Sequence, residues 1–145
     1  MLFVLWPSNS MKYGPWPMSG EIDFAEFYSR YHDLAIPYIH YWYDSDTTDQ
    51  KTDTNVVTAY DCTIDFTGFN RYVLVWQPGW IAIRVNGDDC VVDRYRANAV
   101  PPPAPFDQPF FMALTQALGV DGNAFDPAVT PLPATTQIDY VRVWK

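Results

Sequence analysis

Thirteen prolines divide this 145-residue chain into short runs rich in Val, Ile, Phe, Tyr, Trp and Thr. Proline lacks an N–H and fixes φ, so it breaks helix interiors and central strands and is tolerated at turns and edges. No run between the breaks reads as a long amphipathic helix. β-branched and aromatic runs between Gly and Pro punctuation instead predict an all-β domain. The expected strands are 1–6, 20–28, 35–43, 58–66, 71–77, 80–86, 89–95, 108–116 and 136–144, with one short helix or turn near 124–129. Val85-Asn86-Gly87-Asp88 is the strongest hairpin signal, because Asn-Gly supplies the φ > 0 positions of a tight turn. It is expected to join Trp80–Val85 to Cys90–Asp93. Residues 44–55 read as an acidic loop, 101–105 (PPPAP) as an ordered loop or polyproline piece, and 119–135 as a long loop. Strand 1–6 is apolar on both faces, so it is expected to lie centrally, with a neighbour on each side.

Length and charge narrow the function. A chain of this size suits one domain, here 1–145. Nine Lys and Arg stand against 17 Asp and Glu, for a net charge of −8. Such a chain has little to offer a phosphate backbone or an anionic bilayer, so neither nucleic acid nor membrane is an expected partner. No apolar run reaches the ~18 residues of a membrane-spanning helix. MLFVLWPSNS lacks a basic leader and a small-residue cleavage site, so no export signal is read there. Cys62 and Cys90 fit no metal spacing and are either one disulfide or two thiols. A bridge would close a loop of about 29 residues, add roughly 3–4 kcal/mol in the chain-entropy model, and suit an exported protein.

One local cluster points to chemistry. The chain has 15 Asp but only two Glu, and Glu21 and Glu26 fall within Glu21-Ile22-Asp23-Phe24-Ala25-Glu26. In a regular strand Glu26 would point to the apolar side with Ile22 and Phe24. A β-bulge at Phe24-Ala25 shifts the alternation by one place and puts Glu21, Asp23 and Glu26 on one face. Ile22, Phe24 and Phe27 then take the other. Three carboxylates on one face repel, so at least one should hold its proton unusually well. The pattern fits a general acid and a nucleophile, a calcium site, or a solvated sheet face.

The longer string Gly14-Pro15-Trp16-Pro17-Met18-Ser19-Gly20-Glu21-Ile22-Asp23-Phe24-Ala25-Glu26 resembles the signature of glycoside hydrolase family 16, W-P-x-S-G-E-I-D-x-x-E, in its laminarinase and β-glucanase branch. Val75-Trp76-Gln77-Pro78, Ile83-Arg84-Val85-Asn86-Gly87, Pro105-Phe106-Asp107-Gln108-Pro109-Phe110 and Ile138-Asp139-Tyr140-Val141-Arg142-Val143 match further pieces in order. The resemblance implies a concanavalin-like β-jelly-roll sandwich, of which this chain looks like the C-terminal two-thirds. It implies retaining hydrolysis of a β-1,3- or mixed-linked β-glucan, or of a related polysaccharide. Glu21 is then the nucleophile, Glu26 the acid/base, and Asp23 the residue that supports the nucleophile. The rival readings are a carbohydrate-binding sandwich without turnover and an inactive fragment.

By the same resemblance Trp16 is a sugar platform, with ordinary packing as the alternative. His40 either hydrogen-bonds the acid/base carboxylate or is a satisfied core histidine. Gln116 is a candidate sugar contact. Trp6 and Trp76 are expected in the core, and Trp42 and Trp80 are unassigned. Asp139 matches a structural calcium position of relatives, whose other ligands would come from a segment preceding this chain. No cofactor and no intact metal site are therefore expected. The DSDTTD of 44–49 lacks the Gly an EF-hand loop needs at its sixth position. An extracellular location follows from the resemblance alone. Missing first strands would leave a sheet edge open to self-association.

Overall fold

The computed structural model describes residues 1–43, 56–98, 100–119, 121–130 and 132–145. The acidic stretch 44–55 lies outside them. Eight strands are formed among the described residues: β1 (Leu2–Pro7), β2 (Glu21–Glu26), β3 (Ile36–His40), β4 (Val56–Thr58), β5 (Tyr72–Gln77), β6 (Trp80–Val85), β7 (Asp88–Asp93) and β8 (Phe110–Thr115). Among the described residues helix is limited to single 3-10 turns at Ser29–Tyr31 and Asp121–Asn123. The strands make two antiparallel sheets, ordered β4-β3-β2-β1-β8 and β5-β6-β7. This is an all-β jelly-roll sandwich.

One core joins the sheets. Leu5, Ile22, Phe24, Ile39 and Val57 of the larger sheet meet Ile81, Ile83 and Val91 of the smaller one. The burial of these branched side chains, each stabilising by about 1.5–3 kcal/mol, is what holds the layers together. Tyr41, Tyr43, Tyr95 and Phe106 close one side of this core. The Tyr41 hydroxyl donates to Asp93 at 2.9 Å, which gives that phenol a partner inside an apolar layer.

As expected, β1 is central, between β2 and β8. The hairpin also forms where Asn-Gly placed it, with Asn86 at φ 54° and Gly87 at φ 107°. Its second strand starts at Asp88, earlier than expected. Other expectations need correction. Most of 58–66 is not a strand; only Val56–Thr58 pairs with β3, and Thr63 makes an isolated bridge to Leu34. The region 124–129 holds turns around Asp126, one of the two forms expected there. Residues 136–144 form no strand, and none of the described strands pairs with them. A strand satisfies its backbone only through a neighbour, so alternation without a partner leaves coil.

Cys62 and Cys90 are joined, with Cα atoms 5.5 Å apart. Cys62 is buried beside Ala25, Ala35 and Val85. The bond therefore fastens the segment beneath the end of β2 to the smaller sheet.

Candidate active site

The bulge sits at Phe24-Ala25, as the sequence pattern requires. Against β3, Asp23 pairs with Tyr38 and Glu26 with Ile36, so three steps on β2 match two on β3. Against β1, Asp23 pairs with Val4 and Ala25 with Phe3. Phe24 and Ala25 both enter apolar clusters. A regular strand would have turned one of them outward with the carboxylates. Burial of both side chains thus forces the extra residue, and the extra residue turns Glu26 back to the face of Glu21 and Asp23.

Gly20 sets the entry to this strand. Its φ is +81°, and a Cβ there would lie 2.8 Å from the Phe106 ring. Only glycine meets both demands. Ser19 anchors the preceding loop: its Oγ donates to the Gly14 carbonyl and accepts from the Tyr13 N–H. Gln108 donates to the Ser19 carbonyl at 3.1 Å.

The carboxylates differ in surroundings. Asp23 is almost fully buried, and its Oδ2 lies 3.2 Å from His40 Nε2. Burial, reinforced by the Glu26 charge, raises its pKa to about 8. Glu21 accepts from Trp16 Nε1 at 2.6 Å. Burial and the Asp23 charge raise Glu21 to about 7, against the opposing pull of that hydrogen bond. Glu26 accepts from the Tyr28 hydroxyl. Burial, then that bond, pushes the Tyr28 phenol well above its ordinary range. A row of carboxylates of which two retain protons near neutrality can move protons and carry a nucleophile.

The chain is similar to endo-acting β-glycosidases. It is 34% identical to the glucan endo-1,3-beta-glucosidase A1 of Niallia circulans, over 98% of this chain and 22% of that protein. It is 30% identical to the keratan-sulfate endo-1,4-beta-galactosidase of Sphingobacterium multivorum, over 96% of this chain and 31% of that protein. It is 31% identical to the glucan endo-1,3-beta-glucosidase of Cryptopygus antarcticus, over 98% and 55%. The chain thus spans between about a fifth and about a half of the length of these relatives. No family model and no solved structure matches it.

The other candidates from the sequence divide into two groups. Trp16 and His40 stand with the carboxylates: their rings are 5.3 Å apart, and Trp16 remains 55% exposed. His40, however, meets Asp23 where the sequence pointed to Glu26. The register decides this, because His40 pairs with Glu21 at the far end of β2 from Glu26. Gln116 lies two strands away from Glu26, next to Thr115, which is in line with Glu26 through Leu2. It follows the edge strand β8, beyond β1, and its amide is engaged by the Ala134 carbonyl and the Thr136 hydroxyl. Trp6 needs the opposite correction: it alternates with Leu2 and Val4 on the carboxylate face and is absent from the core clusters. Trp76 packs on the core, edge to face with Phe110 at 5.1 Å.

Tyr28 and Tyr38 were missed. Tyr38 stacks on His40 with ring centres 5.7 Å apart and pairs with Asp23. Its signal was available, since positions 38 and 40 share a strand face. Asp139 is exposed and belongs to no grouping of three His, Cys, Asp or Glu side chains among the described residues. A concavity of about 480 Å³ lined by Arg96, Asn98 and Pro101 lies elsewhere, and none of the carboxylates lines it.

Proposed function

We propose that this chain is a member of glycoside hydrolase family 16 and carries the catalytic strand of a retaining β-glycosidase acting on β-1,3- or mixed-linked β-glucan. The observation that carries the reading is the bulge that turns Glu21, Asp23 and Glu26 to one face beside an exposed Trp16. The similarity to two β-1,3-glucanases supports the choice of glycan.

Glu21 attacks the anomeric carbon, and Glu26 protonates the departing glycosidic oxygen. Water then cleaves the glycosyl-enzyme with Glu26 as base. Asp23, the more buried of the Glu21–Asp23 pair, retains its proton to higher pH and offers it to Glu21. That arrangement favours the ionised nucleophile. Trp16 holds Glu21 through its N–H and offers its exposed ring to the apolar face of a sugar. His40 fixes Asp23, and Tyr28 orients Glu26. The Cys62–Cys90 bond fits an oxidising compartment, which supports an extracellular setting.

Reducing-sugar release from soluble β-1,3-glucan tests this reading. Glu21→Gln and Glu26→Gln should each lower the rate by at least about 10²-fold while the melt stays cooperative. A well-folded wild-type chain that binds glucan without cutting it would replace catalysis by a binding role.

A further inference from the structure

We propose that Tyr28 is a positioning residue that carries Glu26 through its protonated and ionised states, with Tyr38 and Tyr60 completing a chain of phenols behind it. The inference deepens the hydrolase reading and rests on it. Tyr28 lies just past β2, with extended backbone at φ −119° and ψ 133°. The alternation of the strand therefore continues beyond its last pair. Phe27 turns inward against Phe3 and Tyr72, and Tyr28 turns outward to Glu26. Tyr38 stands opposite Asp23 on β3 and hydrogen-bonds Tyr28. On its other side Tyr38 pairs with Thr58 of β4. Two residues on is Tyr60, edge to face with the Tyr38 ring, and the two hydroxyls are 3.5 Å apart. Tyr60 is 56% exposed, so the chain runs from Glu26 to solvent.

The two glutamates have partners of different chemistry. Glu21 is held by the Trp16 N–H, which can only donate. That suits a carboxyl that works as an anion. Glu26 is held by the Tyr28 hydroxyl, which can both donate and accept. An acid/base needs such a partner, because it starts the first step with a proton and the second without one. In the first step the Glu26 proton passes to the glycosidic oxygen. The bond from that oxygen to the anomeric carbon breaks as Glu21 bonds to the carbon. Tyr28 then donates to the new carboxylate, and a hydrogen bond to an ionised acceptor is roughly twice as strong as a neutral one. In the second step water bonds to the carbon, Glu21 departs, and the proton lost by water returns to Glu26. Tyr28 is now able to accept from Glu26, and Tyr38 takes the hydrogen bond that Tyr28 has freed. Burial, before any other cause, holds both the Tyr28 and the Tyr38 phenol above the ordinary range. Neither phenol is lost as a donor at working pH.

The test compares wild type and Tyr28→Phe on substrates that differ in their need for an acid. Soluble β-1,3-glucan must have its leaving oxygen protonated. A dinitrophenyl glycoside of a β-1,3-linked glucose oligomer releases its phenolate without a proton. We expect Tyr28→Phe to lower kcat/KM on glucan about 10- to 100-fold, the scale of one hydrogen bond to a charged group, and to lower it far less on the aryl glycoside. Tyr38→Phe should show the same bias at smaller size. Equal losses on the two substrates, or no loss on glucan, would overturn the inference, since a merely structural role moves both alike. Melting curves establish that the variants are folded. Should Tyr28→Phe not fold, the presence or absence of the bias in Tyr38→Phe decides. Failure of the hydrolase reading is seen separately, in the wild type: a folded chain that releases neither sugar nor dinitrophenolate would overturn that reading and this inference with it.

Discussion

Residues 21–26 and residues 138–143 both alternate in the manner of a strand, yet they end in opposite states. The first run pairs with β1 and β3 and buries Ile22 and Ala25 completely. The second pairs with nothing among the described strands, and Val143 is 81% exposed. The last strand before it, β8, has a neighbour on one side only and exposes Phe111, Met112 and Leu114. A pattern licenses a strand, but a neighbour makes one. Where both neighbours exist, the sheet is firm enough to hold a bulge and bury a carboxylate.

That contrast can be broken by mutation. Ile39→Ala, in the sheet that carries the site, should cost about 2–5 kcal/mol in denaturant unfolding, as large-to-small changes in cores do. Val143→Ser should stay within about 0.5 kcal/mol, as for an exposed position. Equal losses would mean that the C-terminal run packs in solution, and the comparison would fall. Next in size is the staple near the bulge. The paired change Cys62→Ser and Cys90→Ser should remove roughly 3–4 kcal/mol, from a sequence separation of 28. An unchanged melt would show that the two sheets hold that end without it.

A further test of the comparison concerns the buried carboxyls. Unfolded Asp and Glu ionise near 4. In the folded chain Glu21 and Asp23 do so at about 7 and about 8, chiefly because burial penalises their charge. The fold thus keeps protons that the unfolded chain releases. Its stability should be greater near pH 5 and decline as pH rises through 7 and 8. Asp23→Asn should flatten that decline. A melting temperature that climbs between pH 5 and 8 in the wild type would contradict the buried-proton account.

Much of the site was legible because burial logic is local. A charge in the apolar face of a strand is untenable, so Ile22, Phe24 and Glu26 by themselves demanded the bulge. Asn86-Gly87 likewise specified its turn, since two positive-φ residues suit few other places. Trp6 was misplaced because its face follows from how β1 aligns with β2, which is a pairing fact.

The sequence by itself determined the class of fold, the hairpin, and a row of three carboxylates on one face. Each rests on the chain's own sterics and on the cost of burying charge. Tertiary structure alone decided that His40 reaches Asp23, that Tyr28 reaches Glu26, that Cys62 meets Cys90, and that 136–144 stays outside the sheets. Those are matters of register and of which partners are at hand, and alternation along one strand carries information about neither.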